Sequence, residues 1–182
     1  MIIKVDVDGV IRNMNETMCS LYNETYGEHI TVDDIFDYDV EKVFPKIKEI
    51  DGISACEFFF HKHARNIFLD SKPYEGVAEA LKKLQDKGHK VVITTWQFDF
   101  TNKSLTLFFL DSYKIPYDDI CFTRDKWMIK ADWLIDDNPE FILDKRETAQ
   151  KMLIKMPYNR DIIWVRREKN LKNAVDTILK MG

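Results

Sequence analysis

Brief apolar runs, each halting at polar residues and separated from the next by a stretch of helical periodicity, constrain this chain more than any other feature. Ile2 to Val7 is the first, β-branched and stopping at Asp8-Gly9 as a buried strand does on reaching a loop. Lys90-Val91-Val92-Ile93-Thr94, Ile120-Cys121-Phe122 and Trp133-Leu134-Ile135 follow, with Met152-Leu153-Ile154 as a fifth strand and Ile162 to Val165 as a sixth. Between them, Val77, Ala80, Leu81 and Leu84 share one face of a helix opened by Pro73 and Gly76 and closed by Gly88. Leu105, Phe108 and Phe109 mark a second amphipathic helix ending near Tyr113; Leu171, Val175, Ile178 and Leu179 mark a terminal one. Strands and helices alternating at this spacing predict βαβ units. The expected fold is therefore α/β, a three-layer, doubly wound parallel sheet with helices on both faces.

The interval between the first two strands breaks the rhythm. Residues 13–71 are too many for one crossover, so they read as a small helical cap sub-domain inserted after the first strand, with 1–12 and 72–182 as the core. Inside the insertion, Met14, Met18, Leu21 and Tyr22 recur at helical spacing up to a stop at Gly27, and Thr31 with Asp34 resembles a helix-start box. Bulk chemistry narrows the partners. With 27 basic against 31 acidic residues and a formal net charge of -4, the chain lacks the basic face that holding a nucleic-acid duplex requires. No stretch approaches the ~20 apolar residues of a membrane span, and Met1 to Asp8 is too short and too acidic for a signal peptide. Cys19, Cys56 and Cys121 form neither a Cys-x-x-Cys pair nor an even set for disulfides, which points to a reducing, cytoplasmic compartment.

In a sheet of this kind, functional groups gather beyond the carboxyl ends of the strands. Those ends offer Asp6 and Asp8, then Thr94 and Thr95, then Thr123 to Lys126, then Asp136 and Asp137. Two acidic pairs at converging ends repel unless a cation sits between them, and oxygen ligands favour Mg²⁺. Strand alternation puts Asp6 and Asp8 on one side of the chain, so one could attack an electrophile while the other handles the leaving group's proton. Taken singly, each element has an ordinary explanation. Asp-x-Asp-Gly makes turns, threonine is a strand former, Lys126 could be a solvated charge, and Asp136-Asp137 could cap the helix after Asn138-Pro139. Their order, each after an apolar run, carries the weight.

Asp6-Val7-Asp8-Gly9-Val10, the Thr94 strand end, Lys126 and Ile135-Asp136-Asp137 resemble the four motifs of the haloacid dehalogenase superfamily of phosphohydrolases, whose core is a doubly wound, Rossmann-like sheet. More narrowly, Phe122-Thr123-Arg124-Asp125-Lys126 followed by Ala131 to Asp137 is similar to the 5'(3')-deoxyribonucleotidase family. The resemblance implies that Asp6 is a nucleophile forming an aspartyl-phosphate and Asp8 the general acid, then base. It further implies that Thr94 or Thr95 binds phosphoryl oxygens and that Lys126 neutralises nucleophile and phosphate, with Lys130 the competing lysine. Mg²⁺ would be held by Asp6, the backbone carbonyl of Asp8, and Asp136 and Asp137, one of these through water. A dehalogenase needs neither Asp8 nor a metal, which favours phosphomonoester hydrolysis.

Specificity is expected from the insertion, because the core reads only the phosphate. Phe36, Tyr38, Phe44, Phe58, Phe59 and Phe60 could each stack on a nucleobase or form the cap's own core; Phe58 and Phe59 are the candidates carried forward. Trp96 is a further candidate, and Thr95-Trp96 stands where the deoxyribonucleotidases tend to have Ser-Pro. His61 and His63 read as solvent-facing rather than metal ligands, and Pro157-Tyr158-Asn159-Arg160 could reach the rim of the site. The implied substrate is a small phosphomonoester, first a deoxyribonucleoside or ribonucleoside monophosphate. The alternatives are another small phosphomonoester, a nucleic-acid end, or a degenerate protein that binds phosphate or a partner without turnover.

Overall fold

The computed structural model describes residues 1–181. Six strands, β1 (Ile2–Val5), β2 (Lys90–Thr95), β3 (Asp119–Phe122), β4 (Trp133–Asp136), β5 (Gln150–Ile154) and β6 (Arg166–Glu168), form one sheet ordered β3-β2-β1-β4-β5-β6. Every pairing is parallel. Val5 lies level with Ile93 on one side and Ile135 on the other, so the carboxyl ends of β1, β2 and β4 meet where the strand order reverses. That crevice positions the site.

Three helices, α4 (Val77–Asp86), α5 (Phe100–Ser112) and α7 (Leu171–Met181), contribute to one cluster with Ile3, Val5, Val91, Ile93, Ile135 and Met152. The alternate residues Leu134 and Leu153 pack instead with Ile142 of α6 (Pro139–Ile142) on the other face. A separate cluster occupies the segment between the first two strands. There α1 (Met14–Tyr26), α2 (Val40–Val43), α3 (Ala55–Glu57) and three π-helical turns, Ile47–Asp51, Phe58–Lys62 and Asn66–Asp70, surround Met18, Tyr22, Phe44, Phe58 and Phe59. The chain enters and leaves this segment side by side. The Asn13 amide donates to Lys72 O at 2.9 Å, the Tyr74 amide donates to Ile11 O at 2.9 Å, and Arg12 pairs antiparallel with Pro73.

Two expectations need correction. The sixth strand is Arg166–Glu168, not Ile162 to Val165, and Ile163 and Trp164 are 79% and 71% exposed. An edge strand bonded only to β5 needs no apolar run, and of that run only Ile162 is buried, beneath Leu134 and Leu153. The second helix starts at Phe100, capped by Asp99, whose Oδ1 accepts from the Asn102 amide at 2.8 Å. Its buried side is Asn102, Thr106, Phe109 and Leu110, while Phe108 faces outward. The Thr31–Asp34 box is present but caps only a single 3₁₀ turn, Val32–Asp34. No helix among the described residues is long and apolar enough to cross a membrane.

Candidate active site

The end of β1 delivers Asp6, whose amide donates to Ile135 O at 3.0 Å and so locks it between β1 and β4. A tight turn follows, in which the Ile11 and Arg12 amides both donate to Val7 O at 2.8 Å. Gly9 makes the turn possible with φ at +79°, and a Cβ there would overlap the Asp137 carboxylate. Gly9→Ala is therefore expected to cost about 1–3 kcal/mol of stability from backbone strain. It should also lower turnover by displacing Asp137, measurable by chemical denaturation and steady-state kinetics.

Asp8 is gripped from two sides. Arg12 Nε donates to its Oδ1 at 2.6 Å and Gln97 Nε2 to its Oδ2 at 2.9 Å. Arg12 is fully buried between the rings of Phe68 and Phe109, 4.5 and 4.9 Å from their centroids. Its remaining nitrogens donate to Phe68 O at 3.2 Å and Thr106 Oγ1 at 3.1 Å.

Lys126 leaves the loop after β3 and turns inward. Its Nζ donates to Asp6 Oδ1 and to Asp136 Oδ2, each at 2.6 Å, and lies 4.2 Å from the Phe141 ring centroid. Lys130 is exposed, so Lys126 is the lysine that meets Asp6. Asp136 also accepts from the Asn138 amide at 3.0 Å. Asp137 accepts from the Tyr158 hydroxyl, and Asn159 Nδ2 ties Asp137 O to Ile154 O at 2.8 Å each.

Asp6, Asp136 and Asp137 are all buried, and each offers an oxygen within 4.8 Å of the others. Burial pushes the Asp6 carboxyl up to about 7; Lys126 opposes this, while Asp136 and Asp8 add to it. Burial likewise raises Asp137 well above the usual range, reinforced by Asp136 and Asp6 and resisted by the Tyr158 hydrogen bond. Burial works against the Lys126 charge too, yet Asp136 and Asp6 hold its pKa above the ordinary value. Three carboxylates thus share one ammonium at close quarters. This oxygen-only donor set, short of positive charge, fits a hard divalent cation.

A cavity of about 360 Å³ opens above these groups, between the strand ends and the segment containing α1. Asp6, Asp8, Thr95, Trp96 and Asp137 line it. Thr94 does not: alternation turns its side chain into the sheet's other face, where it is fully buried and its hydroxyl has no partner. Phe58 and Phe59 do not line it either. Both are completely buried in the apolar cluster around Phe44, with ring centroids 5.2 Å apart. Phe60 stands in their place, stacked on Phe98 at 5.1 Å, and Phe98 lies 4.5 Å from Trp96. Tyr38 also lines the cavity, whereas Phe36 is 57% exposed. His61 approaches Asp99 at 3.5 Å and His63 packs on Phe58, so neither joins the acidic cluster.

Sequence reasoning missed Arg12, Gln97 and Phe141. Their partners lie across the fold, apart from the Asp8–Arg12 spacing, a signal too weak to stand alone. Arg124, two residues before Lys126, is a further residue whose place the sequence does not disclose. It lies 5.6 Å over the Trp96 ring and pairs with Glu140 at 2.9 Å at the cavity edge.

Comparison with known proteins gives a consistent picture. The family described as "5' nucleotidase, deoxy (Pyrimidine), cytosolic type C protein" matches residues 1–181. A putative 5'(3')-deoxyribonucleotidase of Chlorobaculum tepidum is 29% identical over 154 residues, covering 80% of this chain and 73% of that protein. Among solved structures, a putative beta-phosphoglucomutase from Thermotoga maritima superposes with a TM-score of 0.67 at 16% identity, over 100% of this chain and 99% of that one. L-2-haloacid dehalogenase from Xanthobacter autotrophicus, with chloropropionic acid covalently bound, gives 0.63 at 10% identity, over 100% and 99%. These likenesses extend the fold.

Proposed function

The chain belongs to the deoxy-pyrimidine 5'-nucleotidase family of cytosolic type C, a family of phosphoric monoester hydrolases, and on that premise we propose that it hydrolyses nucleoside monophosphates through an aspartyl-phosphate with Mg²⁺ as cofactor. The observation that carries this reading is the Lys126 ammonium bridging Asp6 and Asp136 at the mouth of the switch point. It holds the Asp6 carboxylate where a phosphoryl group can be attacked and supplies positive charge to that group.

The free Asp6 oxygen attacks phosphorus, forming the acyl phosphate as the ester P–O bond breaks. Asp8 gives its proton to the departing alkoxide. Arg12 occupies Oδ1, so Oδ2, whose partner is the neutral and more easily displaced Gln97 amide, is the oxygen that exchanges the proton. In the second half, Asp8 takes a proton from the water that attacks phosphorus, freeing Asp6 and phosphate. Thr95 lines the cavity and serves the phosphoryl oxygens. Asp6, Asp136 and Asp137, with the backbone carbonyl of Asp8, would hold Mg²⁺, which supplies charge compensation to the phosphoryl group. Residues 13–71 act as the cap, and the Trp96–Phe98–Phe60 wall offers the base a ring to lie against.

Phosphate release from nucleoside 5'- and 3'-monophosphates beside sugar phosphates, with Mg²⁺ and with EDTA, tests the reading. Metal-dependent release from nucleotides is expected; release from sugar phosphates alone would discard the nucleotide substrate, and release undiminished by EDTA would discard the metal. Ligand carboxylates must shed protons to bind a cation. With the Asp6 carboxyl raised to about 7 and that of Asp137 also raised, Mg²⁺ affinity is expected to climb as pH rises through about 7. Stability of the metal-free protein has the opposite sign. A carboxyl raised on folding binds protons more tightly in the native state, so stability falls as pH rises from about 4 to about 7. Calorimetric titrations and melting curves across pH 5–8 read both.

A further inference from the structure

Asn15 is the second residue of α1, and it lines the cavity beside Met14 and Met18. It is 6% exposed, and its Nδ2 amide is buried with no hydrogen-bond partner. Buried donors in folded proteins are normally satisfied, so an orphaned carboxamide on a cavity wall marks the seat of a group that binds there. Other polar side chains on that wall are already engaged: Asp8 by Arg12 and Gln97, Asp137 by Tyr158, and Glu140 by Arg124. The lining of the same cavity includes Met14 and Met18 of α1 and, from the chain beyond α1, Ile35, Asp37 and Asp39. A neutral donor on a wall that also carries carboxylates suits a neutral acceptor better than an anion.

We infer that Asn15 donates its amide to an oxygen acceptor on the sugar or base of the substrate, making it a specificity-determining residue for the organic half rather than the phosphate. This rests on the nucleotidase reading above. A rival role exists within the fold. The Asn15 amide lies near the Tyr158 hydroxyl, so it could merely steer Tyr158 onto Asp137.

The test compares kcat/KM for the best nucleoside monophosphate with kcat/KM for 4-nitrophenyl phosphate, which has no sugar or base, in the wild type, Asn15→Leu and Asn15→Ser. The nucleotide-to-aryl ratio is expected to fall by about tenfold or more in both variants, mainly through KM, the worth of one well-placed hydrogen bond. Equal losses on both substrates would assign Asn15 to steering Tyr158 and overturn the inference, as would an unchanged ratio without loss. Asn15→Ser keeps a small polar side chain should Asn15→Leu fail to fold, and melting curves verify the fold of each. A wild type active on the aryl ester but silent on every nucleotide would instead overturn the nucleotidase reading, and this inference with it.

Discussion

Asp6→Asn is expected to fold as well as the wild type and to lose turnover on the order of 10⁴-fold or more, the scale at which removing a covalent nucleophile acts. The amide oxygen can still accept from Lys126, so the bridge to Asp136 keeps its geometry. What disappears is the lone-pair charge that attacks phosphorus, together with one of three buried carboxylates crowding a single ammonium. Removing that repulsion should leave the metal-free variant at least as stable as the wild type, an instance of function held at the expense of stability. Two measurements decide it. Rapid acid quench of the wild type with labelled substrate should trap phosphate on protein, and the variant should trap none. Substantial turnover by Asp6→Asn, or equal labelling of both proteins, would remove Asp6 from the nucleophile's role.

Lys4→Met should have the largest effect on stability. Lys4 sits in the middle of β1 and is completely buried, with Nζ donating to Glu147 Oε2 at 2.5 Å, Lys126 O at 2.9 Å and Ile129 O at 2.8 Å. All of its protons are used. Removing the ammonium strands the buried Glu147 carboxylate and leaves both carbonyls without that donor, a change worth about 3–5 kcal/mol when one partner of a buried pair is lost. The double variant Lys4→Met, Glu147→Leu should recover much of the loss, because replacing both charges by apolar groups removes the stranded one. Urea unfolding of the three variants against wild type checks this; a loss below about 1 kcal/mol for Lys4→Met would show that Glu147 is not held by this pair. The same substitution should reduce kcat, because those two carbonyls belong to the turn that aims Lys126 at Asp6.

The strand ends were legible because burial and chemistry coincide there. Apolar runs must stop where the sheet stops: Asp6 follows β1 directly, Thr95 and Asp136 end β2 and β4, and Lys126 stands four residues beyond β3. Which of two adjacent threonines faces the cavity depended on where β2 ends, at Thr95 rather than Thr94. The aromatic run Phe58-Phe59-Phe60 was ambiguous for a related reason. A π-helical turn buries three successive rings, so neither a period of 3.6 nor one of 2 identifies Phe60 as the one that lines the cavity. Lys4 and Glu147 are 143 residues apart, and a lysine in a strand gives no hint that its charge is matched from the far half of the chain. Arg12 shows the same limit: three of its contacts lie in segments remote from the turn that carries it.

The side-by-side entry and exit of the segment between Asn13 and Lys72 insulates the core from the length of that segment. Asn13 meets Lys72, Arg12 meets Pro73 and Ile11 meets Tyr74, so the core backbone is already joined across the base of the excursion. Closing a longer or shorter loop on a joined base changes the entropy only slowly with length. The sheet and its acidic cluster therefore keep their register largely independently of how much chain lies beyond that base.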